Sequence, residues 1–335
     1  MDGLNTLNGV ATVEQSNIEQ LNTTDAHVEI TEDKKATPAS NDVLMSIDEV
    51  LIQLKEIVSK ERAAENPKNA LFATLYLYVT AVVKATILGK IKDSGKLKFE
   101  DNKRMENLDV IFAKRYIDAY NAYKNGQPLS ESWKRALGFE NTDAMIPLQN
   151  ILMGINAHIN LDLGIATSEA VRIAGDNPAF QNDMMSIKGD FNTINVILNK
   201  LTKTVEKSLA QSSILLQNVI KYGKDFESKI AGFSIEVARE AAWTFALETY
   251  VTKDLDKTIK EKDAKVANYA KELSQPSNGW IQFVVKIMKM LERKSTGDVV
   301  DLLLKDLETG SNIKYSELPD LVAVEGEKFL NIEDK

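Results

Sequence analysis

Ala70-Leu71-Phe72-Ala73-Thr74-Leu75-Tyr76-Leu77-Tyr78-Val79-Thr80-Ala81-Val82-Val83-Lys84-Ala85-Thr86-Ile87-Leu88-Gly89 decides the fold of this chain. The run is about as long as a membrane-spanning helix. Lys84 sits inside it, and Thr74, Thr80 and Thr86 dilute it. A lysine near the middle of a bilayer costs about 2.5–3.5 kcal/mol, so the segment reads as a core helix of a water-soluble bundle. Apolar residues recur around most of its circumference, which puts it at the centre. Association with a membrane through residues 70–89 is the competing reading.

Helical signals continue on both sides. Ser46-Ile47-Asp48-Glu49 has the Ser-x-x-Glu pattern of a capping box. Val50, Leu51, Leu54 and Val58 follow at helical spacing, and Asn66-Pro67 stops the helix. The central helix is expected from about Lys68 to Lys92, closed by Asp93-Ser94-Gly95. A third runs from Asp101 or Asn102 to Lys124 before Asn125-Gly126-Gln127-Pro128. Ser130 or Ser132 opens a shorter one through Trp133 to Leu137. Pro147 suits the first turn of a helix expected to reach about Ala174, with Gly154 and Gly164 marking close approaches. After the turn Gly175-Asp176-Asn177-Pro178, two long helices are expected at about 183–221 and 224–252, split near Tyr222-Gly223. Ile194, Ile197, Leu198, Leu201, Val205, Leu209 and Leu215 form a near-heptad seam, read as packing within the chain rather than a dimer coiled coil. A Lys- and Asp-rich outer helix covers about 255–273, and Trp280 to Glu292 makes a last apolar one.

No segment alternates as a strand, and no repeat appears. The expected fold is all-α, a single multi-helix bundle. Residues 1–42 read as a disordered N-terminal tail and 43–293 as the helical domain. Residues 294–335 read as an acidic, mostly mobile C-terminal tail with one short helix from Val299 to Leu307.

Composition removes several classes of function. Among 335 residues the net charge is -8, which argues against nucleic acid as a partner. There are no cysteines, so thiolate metal sites, Fe–S clusters and a Cys nucleophile are excluded, as are disulfides. That absence and the lack of a basic, apolar leader point to a cytoplasmic protein. Two histidines cannot make a three-His zinc site, and a di-iron centre needs paired E-x-x-H motifs. No G-x-S-x-G elbow, Walker A loop, Gly-rich dinucleotide turn or H-E-x-x-H helix occurs, and no Asp-rich prenyl-transfer motif is evident.

Asn156-Ala157-His158-Ile159-Asn160-Leu161-Asp162 is the richest polar stretch, and it interrupts an apolar helix. Ile151, Ile155, His158 and Asp162 fall on one stripe, with Asn156 and Asn160 on a neighbouring face. His158 and Asp162 are four apart and can bond directly, fixing a tautomer and raising the basicity of the imidazole. That is the geometry of a general base if a pocket adjoins it. A satisfied core network that fixes helix register is equally compatible with the spacing.

A second cluster, Asp109, Arg115, Asp118 and Asn121, is interleaved with Phe112, Tyr116, Tyr120 and Tyr123. Arg115 can pair with Asp118, or can bind a carboxylate or phosphate. Trp133 and Arg135 form a third polar-aromatic spot, and Arg239 with Trp243 an i, i+4 cation–π candidate. A single metal ion at His158, Asp162 and a carboxylate of the third helix fits the residue types. Haem on His158 alone is a weaker fit.

Several blocks carry a resemblance: Leu108-Asp109-Val110-Ile111-Phe112-Ala113-Lys114-Arg115-Tyr116-Ile117-Asp118-Ala119, Ser132-Trp133-Lys134, Leu152 through Ala166, and Phe233-Ser234 through Arg239 to Trp243. Over about 44–292 the chain resembles a bacterial and fungal family of helical proteins known only as a domain of unknown function. The resemblance implies that Asp109, Arg115, Asp118, Trp133, His158, Asn160 and Asp162 belong to a shared pattern, and it implies no activity. Leu75-Tyr76-Leu77-Tyr78 departs from that pattern in being unusually apolar.

The expectation drawn from these residues is an enzyme of small-molecule metabolism. It would perform hydrolytic or eliminating acid–base chemistry on a largely apolar substrate. His158 is the acid–base group, Asp162 its orienter, Arg115 an anion clamp and Asp118 or Asp109 a second carboxylate; Trp133, Asn156 and Asn160 complete the substrate contacts. The alternative is a non-catalytic ligand carrier or interaction scaffold whose polar cluster is structural. The expected partner is a small molecule, with the oligomeric state left open.

Overall fold

Local capping starts the first helix, α1 (Ile47–Arg62). The Glu49 amide donates to Ser46 Oγ (3.2 Å), and the Ser46 amide donates back to the Glu49 carboxylate (2.6 Å). The computed structural model describes residues 44–91, 97–138, 145–211, 235–275, 277, 285–286, 289–290 and 294–320. α2 follows at Lys68–Ile87 and α3 at Asn102–Lys124, the latter capped by Asp101, which accepts from the Arg104 amide. α4 is Glu131–Gly138, and α5 is Pro147–Ala157 with proline in its first turn. A π-helical turn, His158–Asp162, joins α5 to α6 (Leu163–Ala170). After two short 3-10 turns come α7 (Lys188–Ala210), α8 (Ile235–Val251), α9 (Leu255–Ser274) and α10 (Thr296–Ser311). The described residues are helical and contain no strand.

α2 is the central helix, packed by α1, α3, α5, α7 and α10. It is the one described helix long and apolar enough to cross a membrane, and 83% of its most apolar window is buried inside the protein. Lys84 is buried as well. It forms an ion pair with Asp48 of α1 and donates to the Pro319 carbonyl (2.7 Å). The one charge in the apolar run is thus answered by protein groups, as a buried ammonium requires.

Two expectations about organisation are corrected. Residues from 294 onward do not all form a tail. α10 is a full helix, started by a capping box at Ser295 and Asp298, and it packs against α7 and α2. Val299, Val300, Leu303, Leu304 and Leu307 are buried, because one stripe of this acidic segment is apolar enough to join the core. The helix expected to run unbroken from Pro147 to about Ala174 contains the π turn and ends at Ala170. The seam on α7 packs within the chain, with Ile194, Ile197, Leu201, Val205 and Leu209 buried. The expected tail over 1–42, the turn Asp93-Ser94-Gly95, the split at Tyr222-Gly223, Leu215, and nearly all of the Trp280–Glu292 helix lie outside the described residues.

Candidate functional site

The π turn aims the key side chains. In it the Leu163 amide reaches the His158 carbonyl, five residues back, so the helix widens by one residue. His158 and Asp162 remain neighbours, with His158 Nδ1 3.3 Å from Asp162 Oδ2. Trp133 Nε1 on α4 donates to the same oxygen (2.8 Å), and Arg115 Nε on α3 donates to Asp162 Oδ1 (3.0 Å). Asp162 is therefore a buried carboxylate held by three donors from three elements. Burial alone would raise its pKa. The Arg115 charge, followed by the bonds from His158 and Trp133, outweighs burial and holds the carboxyl below its usual range. Asp162 is thus ionised, and it orients the imidazole with Nδ1 as the donor.

His158 is 2% exposed and enclosed by rings. Phe112 stacks on the imidazole (3.5 Å between centroids, 5° between planes), and Tyr76 meets it edge-on at 4.4 Å. Phe72, Tyr116 and Trp133 complete the cage. The pKa of His158 is lowered: desolvation dominates, and the stabilisation from Asp162 falls short of it. Asp162 does raise the basicity of the imidazole, as the spacing implies, but burial outweighs it. His158 is neutral near pH 7, and among the described residues its Nε2 has no hydrogen-bond partner.

Beside this ring lies a cavity of about 60 Å³, walled by α2, α3, the α5–π–α6 segment, α7 and α8. Its surface is almost entirely apolar, with Leu75, Val79, Leu108, Ile155, Ile194 and Leu201 among its walls. The half-buried Phe112, Leu198, Thr202 and Ile235 mark its rim. His158, Tyr76, Asp109, Thr202 and Arg239 are the polar residues among those that line it. Among the described residues Asp109 Oδ2 has no hydrogen-bond partner, and the Tyr76 hydroxyl has only the Thr80 hydroxyl acting on it. Burial, then the charge of Glu106, pushes the Asp109 carboxyl up to about 8. At pH 7 Asp109 is accordingly a neutral acid with a proton to donate. The Tyr76 hydroxyl is raised too, by burial first and then by Asp109.

The sequence-derived residues divide into three groups. His158 and Asp109 line the cavity. Asp162, Arg115 and Trp133 stand behind His158 and hold it, and Arg115 is not part of the lining. Arg115, the expected anion clamp, is engaged through its Nε by Asp162. Asp118 joins neither group: it is exposed and paired with Lys114 (2.5 Å), because four residues of helix bring that lysine to it and Arg115 points to Asp162. Asn156 donates to the Val266 carbonyl (3.0 Å), and Asn160 donates to Asn156 Oδ1 (2.8 Å). These two amides tie the π turn to α9. Arg239 lies over Phe191 (4.2 Å) rather than Trp243, whose cation is Lys188 (4.5 Å).

Tyr76 is a cavity residue that spacing did not single out, and spacing marked Arg239 only as a cation–π partner of Trp243. The signal for Tyr76 was the apolar departure at Leu75-Tyr76-Leu77-Tyr78; nothing local marks Arg239 as a cavity residue.

The donor set does not suit the metal or the haem. All three donors of Asp162 are protein groups, and Nδ1 of His158 faces that carboxylate. Among the described residues no three His, Asp or Glu side chains gather as a metal-binding group. A cavity of about 60 Å³ does not admit a porphyrin.

Fold and site together define an all-helical protein with an internal apolar cavity and an oriented His–Asp pair at its wall. Residues 47–276 match the family of unknown function (DUF5995), and the chain belongs to that family. No curated protein and no solved structure shows a significant match to it.

Proposed function

We propose that the protein is an acid–base enzyme acting on a small, largely apolar substrate. The observation that carries this reading is His158, whose Nδ1 is fixed on an ionised aspartate while its ring lines the cavity and its Nε2 has no partner among the described residues. A neutral imidazole so oriented accepts a proton. The protonated Asp109 and the Tyr76 hydroxyl supply donors of the kind that stabilise an oxyanion in a dry site. The chemistry this combination supports best is removal of a proton from carbon next to a carbonyl. His158 takes the proton, the electrons move onto the carbonyl oxygen, and Asp109 and Tyr76 hydrogen-bond that oxygen. An elimination completes the step when the next carbon bears a leaving group. Burial of α2 and the absence of cysteine support a soluble, cytoplasmic setting.

The test is deuterium exchange at the α-carbon of short-chain ketones in D2O, followed by NMR. Wild-type protein should accelerate exchange, and His158→Gln should remove about 10²-fold or more of the acceleration, the usual contribution of a general base. No acceleration by wild type, or full acceleration by a folded His158→Gln, would overturn the assignment. One observation favours the second reading, a non-catalytic carrier or scaffold: the cluster also braces three helices around Asp162. On that reading substitution of His158 lowers stability and exchange is never accelerated.

A further inference from the structure

Arg239 is the feature of this cavity that proton transfer at His158 leaves unused. It is 2% exposed, yet no carboxylate forms an ion pair with it among the described residues. Its Nε donates to Asn195 Oδ1 (2.5 Å), its Nη2 donates to the Phe191 carbonyl, and its plane lies over the Phe191 ring. Nη1 has no hydrogen bond to any described residue. The nearest carboxylate in electrostatic effect is Glu240, which is exposed and shared with Lys188 (2.9 Å).

Arginine keeps its charge even when buried. A guanidinium held in an apolar wall without a counter-ion is costly unless something else answers it. Ile194, Leu198, Ile235, Val79 and Val83 share the lining with it. Neither Asp109 nor Asp162 acts appreciably on it, so the cation stands apart from the acid–base groups. The lining therefore combines one fixed positive group, apolar walls, and the neutral His158, Asp109 and Tyr76.

We infer that the cavity takes an amphipathic carboxylic acid, with its carboxylate on Arg239 and its aliphatic part along the apolar walls toward His158. The ligand carboxylate supplies the missing counter-ion. Its desolvation is offset by a guanidinium that the fold has already desolvated, and Nη1 supplies a charge-assisted donor to the carboxylate. The volume of about 60 Å³ compares with about 10–15 Å³ for one water, which suits a short chain. This inference rests on the acid–base reading of the same cavity and names its substrate class.

Hexanoate and hexan-1-ol are the probes, titrated calorimetrically into the full-length protein at pH 7. They share the chain and differ in charge. Wild type should bind hexanoate about tenfold or more tightly than the alcohol, the factor that a net gain of about 1.4 kcal/mol gives. Arg239→Gln should bring hexanoate to the level of the alcohol and leave alcohol binding unchanged. Equal binding of the two probes by wild type would overturn the inference while leaving the cavity, and the acid–base reading, standing. Binding of neither would overturn both. Should Arg239→Gln not fold, the wild-type preference decides alone. A folded Arg239→Gln that keeps the preference refutes the role of Arg239.

Discussion

At the scale of single residues, Asp109 and His158 carry opposite signatures in pH. Asp109 has its folded pKa raised from 3.8 to about 8, so between these values the folded state holds a proton that the unfolded state has released. Stability attributable to it is complete below the unfolded value and falls as pH rises through that window, by up to about 1.4 kcal/mol per unit. Asp109→Asn removes the slope. The variant should gain on wild type in urea unfolding free energy between pH 5 and pH 7.5, by about 1–3 kcal/mol; an unchanged difference would mean that Asp109 is ionised in the fold. His158 has a lowered folded pKa, so its contribution is present above the unfolded value near 6.5 and is lost as pH falls below it. For catalysis the two overlap. His158 is a free base above its depressed pKa, and Asp109 is an acid below about 8. Ketone exchange should show a descending limb near pH 8 that Asp109→Asn abolishes. The His158–Asp162 contact was legible in sequence because four residues of helix place such side chains together. The Arg115 and Trp133 bonds to Asp162 were not, since each crosses between helices and leaves no local periodicity.

At the scale of elements, the glycines on either side of the π turn, Gly154 in α5 and Gly164 in α6, decide how closely helices approach the site. Gly164 sits against α8, where an added Cβ would lie 2.6 Å from Phe245 Cδ1 and 2.9 Å from the Ala242 carbonyl oxygen. The phenyl ring can rotate, but the backbone oxygen cannot retreat without moving α8, which carries Arg239. Gly164→Ala should therefore lower the unfolding free energy by about 1–3 kcal/mol, the range for overpacking a core. It should also weaken hexanoate binding. A thermal midpoint equal to that of wild type would show that α6 and α8 are not held this tightly. The crowding at Gly154 and Gly164 was readable as close approach, although the partners, Phe72 and Phe245, were not. Helix starts were the most legible features. Ser46–Glu49 and Asp101 act within a turn, so the bounds of α1 and α3 follow from a few residues. The π turn had no such mark: its widening is upheld by Asn156 and Asn160 bonded toward α9, a tertiary effect.

At the scale of the whole molecule, the C-terminal helix completes the packing around α2. The acidic character of residues beyond 293 suggested a tail, because net charge hides one apolar stripe. That stripe covers α7 and α2, and the segment after it reaches Lys84 through the Pro319 carbonyl. Lys55 on α1 likewise donates to the Leu318 carbonyl (2.6 Å), and Ser59 Oγ and Tyr315 Oη are 2.8 Å apart. α1, α2 and the C-terminal segment thus form one seam around a buried ammonium. Ending the chain after Lys294 uncovers the partners of Val299, Val300, Leu303, Leu304 and Leu307 and leaves Lys84 with Asp48 alone. Each fully buried side chain of this kind contributes about 1.5–3 kcal/mol, so the loss is comparable to the 5–15 kcal/mol by which most domains are stable. The truncated protein should fail to give a cooperative thermal transition and should bind a hydrophobic dye such as ANS. Lys84→Met in the full chain should, by contrast, keep the fold, because an apolar side chain replaces the buried charge. A truncated chain that melts cooperatively near the wild-type midpoint would show that α10 covers a bundle already stable without it.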